Sequence, residues 1–336
     1  MSATRKCLIT GASGFIGGYL VDAALKRGYE VWCGVREKSS LARLTDKRIK
    51  LLELPYTRPM EMYEMMKDFV ANRDGAWDYV IHNAGITKAL DKQDFYRVNA
   101  YYTKVLIDSL YLADCRPKKF VLISSLSSFG PVRDGSTDPI LDSDEQRPDS
   151  IYGDSKYKAE LFVKTQDDYP YVILRPTGVY GPYDKDYLME IKSIKKGFAL
   201  KVGFKPQTLT FIHAKDLAEV AMLTLENPKA DYKSFFVADG DVYSDAEFVK
   251  LVRKALGKRF VLSLRIPLRL CRWACEISEL IGQLRGQDTT LNTDKYHILK
   301  QRNWNCDTRP LRKILDFVPE YDLKSGLLDT IIREKI

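Results

Sequence analysis

The chain predicts an α/β fold in which a doubly wound parallel sheet carries a smaller, mostly helical C-terminal region. Three observations lead there. Short apolar runs alternate with helical patterns over the first 175 residues, a glycine-rich turn joins the first run to the first helix, and helical periodicity dominates beyond residue 211.

The elements follow in order. Cys7-Leu8-Ile9 is the first strand and Phe15 to Arg27 the first helix, followed by strand Val31 to Val35, a helix around Leu41 and strand Lys50 to Leu54. Met60 to Arg73 reads as a helix, Tyr79-Val80-Ile81 as a strand, and about Asp94 to Ala113 as a helix. Strand Phe120 to Ile123, a helix from about Tyr152 to Thr165 and strand Tyr171 to Leu174 complete the rhythm of βαβ units. Two stretches break it, Gly130 to Asp149 and Gly181 to Gln207, and loops of that size usually form lids or substrate walls. Beyond Phe211 come a helix (Ala214 to Leu225), a short strand (Phe235 to Val237) and a helix (Asp245 to Leu256). Leu264 to Leu284 then carries Ile266, Leu270, Trp273, Ile277, Leu280 and Ile281 at helical spacing, with Arg265, Arg269 and Arg272 interleaved. We read this as a helix packed over a pocket, with docking on a membrane surface or an apolar partner as the alternative.

Composition narrows the class. Of 336 residues 45% are apolar and 29% charged, as in ordinary globular chains. Lysine and arginine exceed acids by 53 to 45, a net +8 spread along the chain, which suits a phosphorylated small-molecule ligand and not nucleic acid. Cys7, Cys33, Cys115, Cys271, Cys275 and Cys306 form no metal-ligand spacing and no disulfide framework, so reduced thiols are expected and no metal. No run of about 18 uncharged apolar residues occurs and no leader precedes the first strand, so the expectation is a cytoplasmic protein with no membrane span.

Thr10-Gly11-Ala12-Ser13-Gly14-Phe15-Ile16-Gly17 lies between strand and helix, where a phosphate-binding turn belongs. Glycines let the backbone approach a pyrophosphate, and the helix N-terminus offers free N–H groups and a positive dipole end. Gly11, Ser13, Gly14, Phe15, Ile16 and Gly17 are therefore assigned to cofactor binding in a Rossmann-type domain over 1–175. Residues 176–336 form the substrate-binding side, with loop 130–149 contributing and some segments returning to the sheet. No acid ends the second strand, where one would bond the ribose 2′-OH of NAD; Arg36 follows Val35, with Lys38 nearby, and an arginine fork suits a 2′-phosphate. NADP is the expected cofactor and NAD the alternative.

Tyr152-Gly153-Asp154-Ser155-Lys156 puts tyrosine and lysine one helical turn apart. A phenol of pKa about 10 is a poor base at neutral pH, and a neighbouring ammonium favours the phenolate; a shift of about 3 units is about 4 kcal/mol. The pair lies downstream of Val121-Leu122-Ile123-Ser124-Ser125, whose serines open onto the same crevice.

In combination these segments resemble the extended short-chain dehydrogenase/reductase superfamily, which includes the NAD-dependent epimerases and dehydratases, over about the first 225 residues. TGASGFIGG matches its nucleotide turn, His82-Asn83-Ala84-Gly85 its sheet-core segment, Asn99 its helix asparagine, SSLSSFG its serine strand and SIYGDSKYKAE its active-site helix. LRPTGVYGP and FIHAKDLAEVA look like two later blocks. The resemblance implies a triad of Ser125, Tyr152 and Lys156 supported by Asn99, chooses Ser125 over Ser124 and Ser127, and leaves Ser127 and Ser128 as turn formers. It further implies that Asn83, Ala84 and Gly85 border the cofactor and that Pro176 and Val179 line its nicotinamide side. It also implies a homodimer through helices flanking the active site.

Within the superfamily the N-terminal segment is most similar to dihydroflavonol reductase and 3β-hydroxysteroid dehydrogenase-like members. Nucleotide-sugar members usually carry Arg-Asp before the FIH block, where this chain has Leu209-Thr210, and an acid after the third strand, where it reads Leu52-Glu53-Leu54-Pro55. The expectation is an NADP-dependent oxidoreductase acting on a carbonyl or secondary alcohol of a fairly apolar small molecule. An NAD-dependent nucleotide-sugar epimerase or dehydratase is the alternative, and a non-catalytic cofactor-sensing protein stands further off. His213 reads as a satisfied core histidine, and His82 and His297 carry no claim. Tyr183, Tyr187, Phe204 and Phe211 suit either an apolar pocket or the packing of the smaller region.

Overall fold

The computed structural model describes residues 4–72 and 75–336. In order, the elements are β1 (Lys6–Thr10), α1 (Phe15–Lys26), β2 (Glu30–Val35), β3 (Lys50–Glu53), α2 (Pro59–Asn72), β4 (Tyr79–His82) and α3 (Gln93–Phe95). A π-helical turn (Tyr96–Tyr101) runs into α4 (Tyr102–Leu112), followed by β5 (Lys119–Ile123), α5 (Ile151–Lys164), β6 (Tyr171–Pro176), β7 (Gly178–Tyr180) and α6 (Asp186–Lys195). Then come β8 (Phe198–Val202), β9 (Thr208–Leu209), β10 (Phe211–His213), α7 (Ala214–Glu226), β11 (Lys233–Val237), β12 (Tyr243–Ser244) and α8 (Asp245–Ala255). The chain ends with β13 (Leu262–Ile266), α9 (Leu268–Arg285), α10 (Thr293–Lys300), α11 (Arg309–Leu315) and α12 (Leu323–Arg333).

Seven strands form a parallel sheet in the order β11-β6-β5-β4-β1-β2-β3. Alternate side chains serve opposite faces, which is why its strands read as continuous apolar runs. Cys7 and Ile9 enter a core with α1 and α7, whereas Leu8 enters one with α2, α4 and α5. The strand order reverses between β1 and β4, so a crevice opens beyond their carboxyl ends. β11 adds to the sheet beside β6 and α7 packs on α1, so the second half of the chain completes both layers. A third core, with Tyr180, Ile191, Phe211, Phe248 and Leu327, holds the smaller region together.

Beneath β5 and β6 lies a fully buried ion pair. Arg175 Nη2 donates to Glu160 Oε2 at 2.8 Å, and its Nε reaches both carboxylate oxygens at 3.1 Å. Glu160 also accepts from Ser124 Oγ (2.5 Å), Ser128 Oγ (3.0 Å) and Gln146 Nε2 (3.1 Å), and Arg175 reaches Asp142 in loop 130–149. Arg175 and its hydrogen bonds hold Glu160 below the usual carboxylate range against the upward push of burial.

Three sequence expectations change. The helix around Leu41 is absent: turns closed by Leu44 N–H to Leu41 O and Ile49 N–H to Asp46 O replace it, and Asp46 accepts the Arg48 N–H as a turn former does. The helical stretch placed over Leu264 to Leu284 begins as strand β13, because Ile266 precedes Pro267 and that position favours extended backbone. The Met60 to Arg73 helix is α2, with Arg73 itself outside the described residues. All six cysteines are buried and unpaired.

Removing one partner of a buried pair leaves an uncompensated charge. Arg175→Met should therefore lower unfolding stability by about 3–5 kcal/mol in urea titration, whereas Arg175→Met with Glu160→Gln should lose less than the single variant.

Candidate active site

The glycine turn closes by Gly14 N–H to Gly11 O at 3.1 Å. Gly11 has φ +64°, and a Cβ there would lie 2.8 Å from the Ala84 backbone; a Cβ on Gly17 would lie 2.1 Å from Gly11 O. The turn thus packs directly on the loop after β4, where Asn83 Nδ2 donates to Gly11 O (3.3 Å) and Ala84 N–H to Thr10 Oγ1 (3.1 Å). His82 is clamped between Thr10 Oγ1 (2.8 Å) and Thr103 Oγ1 (2.9 Å), and burial lowers its pKa to about 3. It is a neutral strut. No side chain caps α1 and no acid lies in its first turn, so its N–H groups and dipole face the crevice. A dinucleotide pyrophosphate fits this cradle: small residues where backbone must come close and an unneutralised helix end.

Arg36 and Lys38 are exposed on the turn after β2, which closes by Ser39 N–H to Arg36 O (2.8 Å) and Arg36 N–H to Ser39 Oγ (2.9 Å). Neither cation has an acidic partner among the described residues. A third cation went unnoticed in the sequence. Arg43 Nη1 donates to Phe15 O at 2.6 Å, and its guanidinium lies 4.2 Å from the Tyr183 ring centroid and 5.1 Å from that of Tyr19. It places a further positive charge beside the first turn of α1.

The candidate catalytic side chains sit beyond β5. Ser125 is half-buried; its Oγ accepts the Ser127 N–H at 3.1 Å, capping a short 3-10 turn, and its hydroxyl acts to lower the Tyr152 pKa. Ser124 and Ser128 instead serve Glu160, so among these three serines Ser125 is the one whose hydroxyl influences the phenol. Burial raises the Tyr152 pKa more than Ser125 lowers it, with Asp294 adding to the rise. Lys156 is buried, donates to Ile123 O at 2.6 Å, and is pushed down to about 8 by burial despite nearby Glu160. The expected lowering of the phenol by its ammonium neighbour is therefore not what dominates: the ammonium is turned toward the β5 carbonyl and desolvation prevails. Lys156 Nζ nevertheless faces the loop after β4, 3.7 Å from where a Gly85 Cβ would stand.

Asn99 lies in the π-turn, a distortion common at functional sites. Its Oδ1 accepts the Ile86 N–H (2.8 Å), and its Nδ2 donates to Ile86 O (3.0 Å) and Ser155 Oγ (2.9 Å). It bonds the loop after β4 to α5 and makes no hydrogen bond to Lys156. Pro176 is buried at the end of β6 and Val179 is half-buried in β7.

Asp294, on α10, was missed. Its carboxylate accepts the N–H groups of Ile151 and Tyr152, and Ser150 Oγ accepts that of Gly153 at 3.0 Å, so the first turn of α5 is capped from two sides. A partner over 140 residues away leaves no local signal. Among the other side chains, His213 is buried, caps α7 through Nδ1 and is pushed down to about 4 by burial; its Nε2 has no hydrogen-bond partner among the described residues. Tyr187 and Phe211 pack against Phe248, Tyr183 covers Arg43, and Phe204 is exposed.

This geometry belongs to a known lineage. The chain belongs to the NAD dependent epimerase/dehydratase family, whose model matches residues 7–238, and is an NAD(P)-dependent enzyme of the extended short-chain dehydrogenase/reductase type. It is 26% identical to a UDP-glucose 4-epimerase of Vibrio cholerae over 89% of this chain and 90% of that protein. It is 24% identical to a ceramide reductase of Caulobacter vibrioides over 96% and 90% respectively. A solved UDP-glucose 4-epimerase from Thermotoga maritima shares the fold, with a TM-score of 0.76 at 19% identity, covering 98% of this chain and 99% of that one.

Two substitutions test the site's construction. Gly17→Ala should abolish measurable cofactor binding in fluorescence titration, since its Cβ would displace the turn. Asp294→Ala should cost about 1 kcal/mol of stability in urea, as the loss of a helix N-cap does.

Proposed function

We propose that the protein transfers hydride reversibly between NADP(H) and a carbonyl or secondary alcohol of a fairly apolar substrate. The observation that carries this reading is the convergence of Ser125, whose hydroxyl lowers the Tyr152 pKa, with that phenol and with Lys156, held by Ile123 O near the loop on which the glycine turn packs.

When bound, the nicotinamide supplies or accepts the hydride. Ser125 Oγ already accepts the Ser127 N–H, so its own proton is directed to an oxygen, either the Tyr152 phenol or the substrate. Tyr152, kept protonated by burial, hands its phenolic proton to the substrate oxygen in reduction and takes one back in oxidation. Lys156, held by Ile123 O, holds the nicotinamide ribose, and in its charged form stabilises the phenolate left behind. Arg36 and Lys38 hold the 2′-phosphate, with no acid at the carboxyl end of β2 to repel it.

Two features favour a reductase over a sugar-nucleotide enzyme. Leu209 and Thr210 stand where such members carry Arg-Asp; Leu209 packs against the third core and Thr210 Oγ1 donates to Trp304 O at 2.6 Å. The likeness to the ceramide reductase, spanning nearly the whole chain, supports an apolar substrate. The protein is further proposed to dimerise through α4 and α5, whose outer sides expose Leu112 and Leu161.

Tyr152→Phe should retain cofactor binding while turnover falls by about 10²–10⁴, the usual worth of a positioned acid/base. Unchanged turnover would refute the mechanism. For reduction, kcat/KM should decline as pH rises through about 8, because Lys156 loses its proton there. Lys156→Arg should move that limb upward. Mass spectrometry of the purified protein separates the alternatives: tightly bound NAD would favour an epimerase or dehydratase, and an empty or NADP-loaded protein the reductase.

A further inference from the structure

Amphipathic helices of folded proteins normally turn their apolar stripe inward. α9 does the reverse. Its small residues Cys271, Cys275 and Gly282 are buried, while Leu270, Trp273, Ile277, Leu280, Ile281 and Leu284 are exposed, Trp273 by 61% and Leu284 by 80%. The expectation of a helix packing this stripe over the pocket is overturned. The stripe faces out.

The strand that feeds α9 repeats the pattern. β13 pairs in parallel with β8, Leu262 opposite Phe198 and Leu264 opposite Leu200, and all four side chains are exposed while Ala199 between them is buried. Phe204 and Phe260, at 71% and 74%, flank this ribbon. Exposed apolar side chains concentrated in this way on two successive elements mark an interaction site.

Charge identifies the occupant. Residues 191–205 contain five lysines and no acid, and residues 248–275 contain eight lysines and arginines and no acid. Only Arg265 (to Asp245) and Arg272 (to Glu276) of these thirteen form ion pairs among the described residues. A symmetric contact between two copies would set this cationic surface against itself, which is unfavourable. An anionic bilayer meets both requirements at once: cations at the headgroups, with tryptophan and aliphatic side chains at the acyl boundary. No described helix is long and apolar enough to cross a membrane, and α9 itself carries Arg269, Arg272, Glu276, Glu279 and Arg285.

We propose that α9 and the β8/β13 ribbon dock the protein on the surface of an anionic phospholipid bilayer. This does not depend on the reaction proposed above. α9 packs on α10, whose Asp294 accepts the Ile151 and Tyr152 N–H groups, so the docking face lies one helix from the candidate catalytic phenol.

The test is flotation of the full chain with phosphatidylcholine vesicles, with and without phosphatidylglycerol, alongside light scattering for oligomeric state. The wild type should float with the phosphatidylglycerol vesicles only and release at high salt. Trp273→Glu with Ile277→Glu should abolish flotation, and Lys196→Glu, Lys205→Glu and Arg269→Glu together should weaken it roughly 100-fold, at roughly fivefold per removed cation. These side chains are exposed, so every variant should keep the wild-type urea midpoint. Failure to float with anionic vesicles overturns the proposal, as does equal flotation with neutral ones. A wild-type oligomer that the Trp273/Ile277 variant dissociates, with no flotation, would assign the face to a second copy instead.

Discussion

The Glu160–Arg175 pair is the constraint around which the candidate site is arranged. A carboxylate and a guanidinium taken wholly out of water must have their hydrogen-bonding capacity filled, and here that demand recruits Ser124, Ser128, Gln146 and Asp142. One point thus ties α5 to β5, β6 and the 130–149 loop. The serine-rich segment after β5 divides accordingly. Two serines turn inward to Glu160, and Ser125 faces the phenol.

A second division of labour separates neutral struts from open charges. His82, deprotonated by burial, spaces β4 from β1 and α4 without placing a charge under the glycine turn. The positive character of the crevice comes instead from the uncapped end of α1 and from Arg36, Lys38 and Arg43 around it. Across the crevice, burial drives Tyr152 up and Lys156 down, so the two titrations move apart: the phenol keeps its proton as a general acid while the lysine titrates near 8.

Much of this was legible in the chain. The sheet, the glycine turn and the Ser125, Tyr152 and Lys156 positions each lie on one short segment, where periodicity and spacing speak directly. Asp294 and Arg43 were not legible, because each acts on an element far from it in sequence, and the segment holding Arg43 mimicked a helix. The π-turn around Asn99 shares its spacing with an ordinary helix to within one residue. The stripe on α9 was read correctly as periodic but given the wrong face, since periodicity does not say which side is buried. The small residues Cys271, Cys275 and Gly282 at the opposite spacing were the available signal, for close packing needs small side chains.

The central claim is that the Ser125, Tyr152 and Lys156 site exchanges hydride with a free substrate and does not recycle it within one turnover. Incubation with NADPH deuterated at the nicotinamide C4 and an apolar ketone, followed by mass spectrometry of the product alcohol, tests it most directly. One deuterium on the carbinol carbon, absent with Tyr152→Phe, is the predicted result. A product without label, or label that never leaves a tightly held nicotinamide, would contradict it.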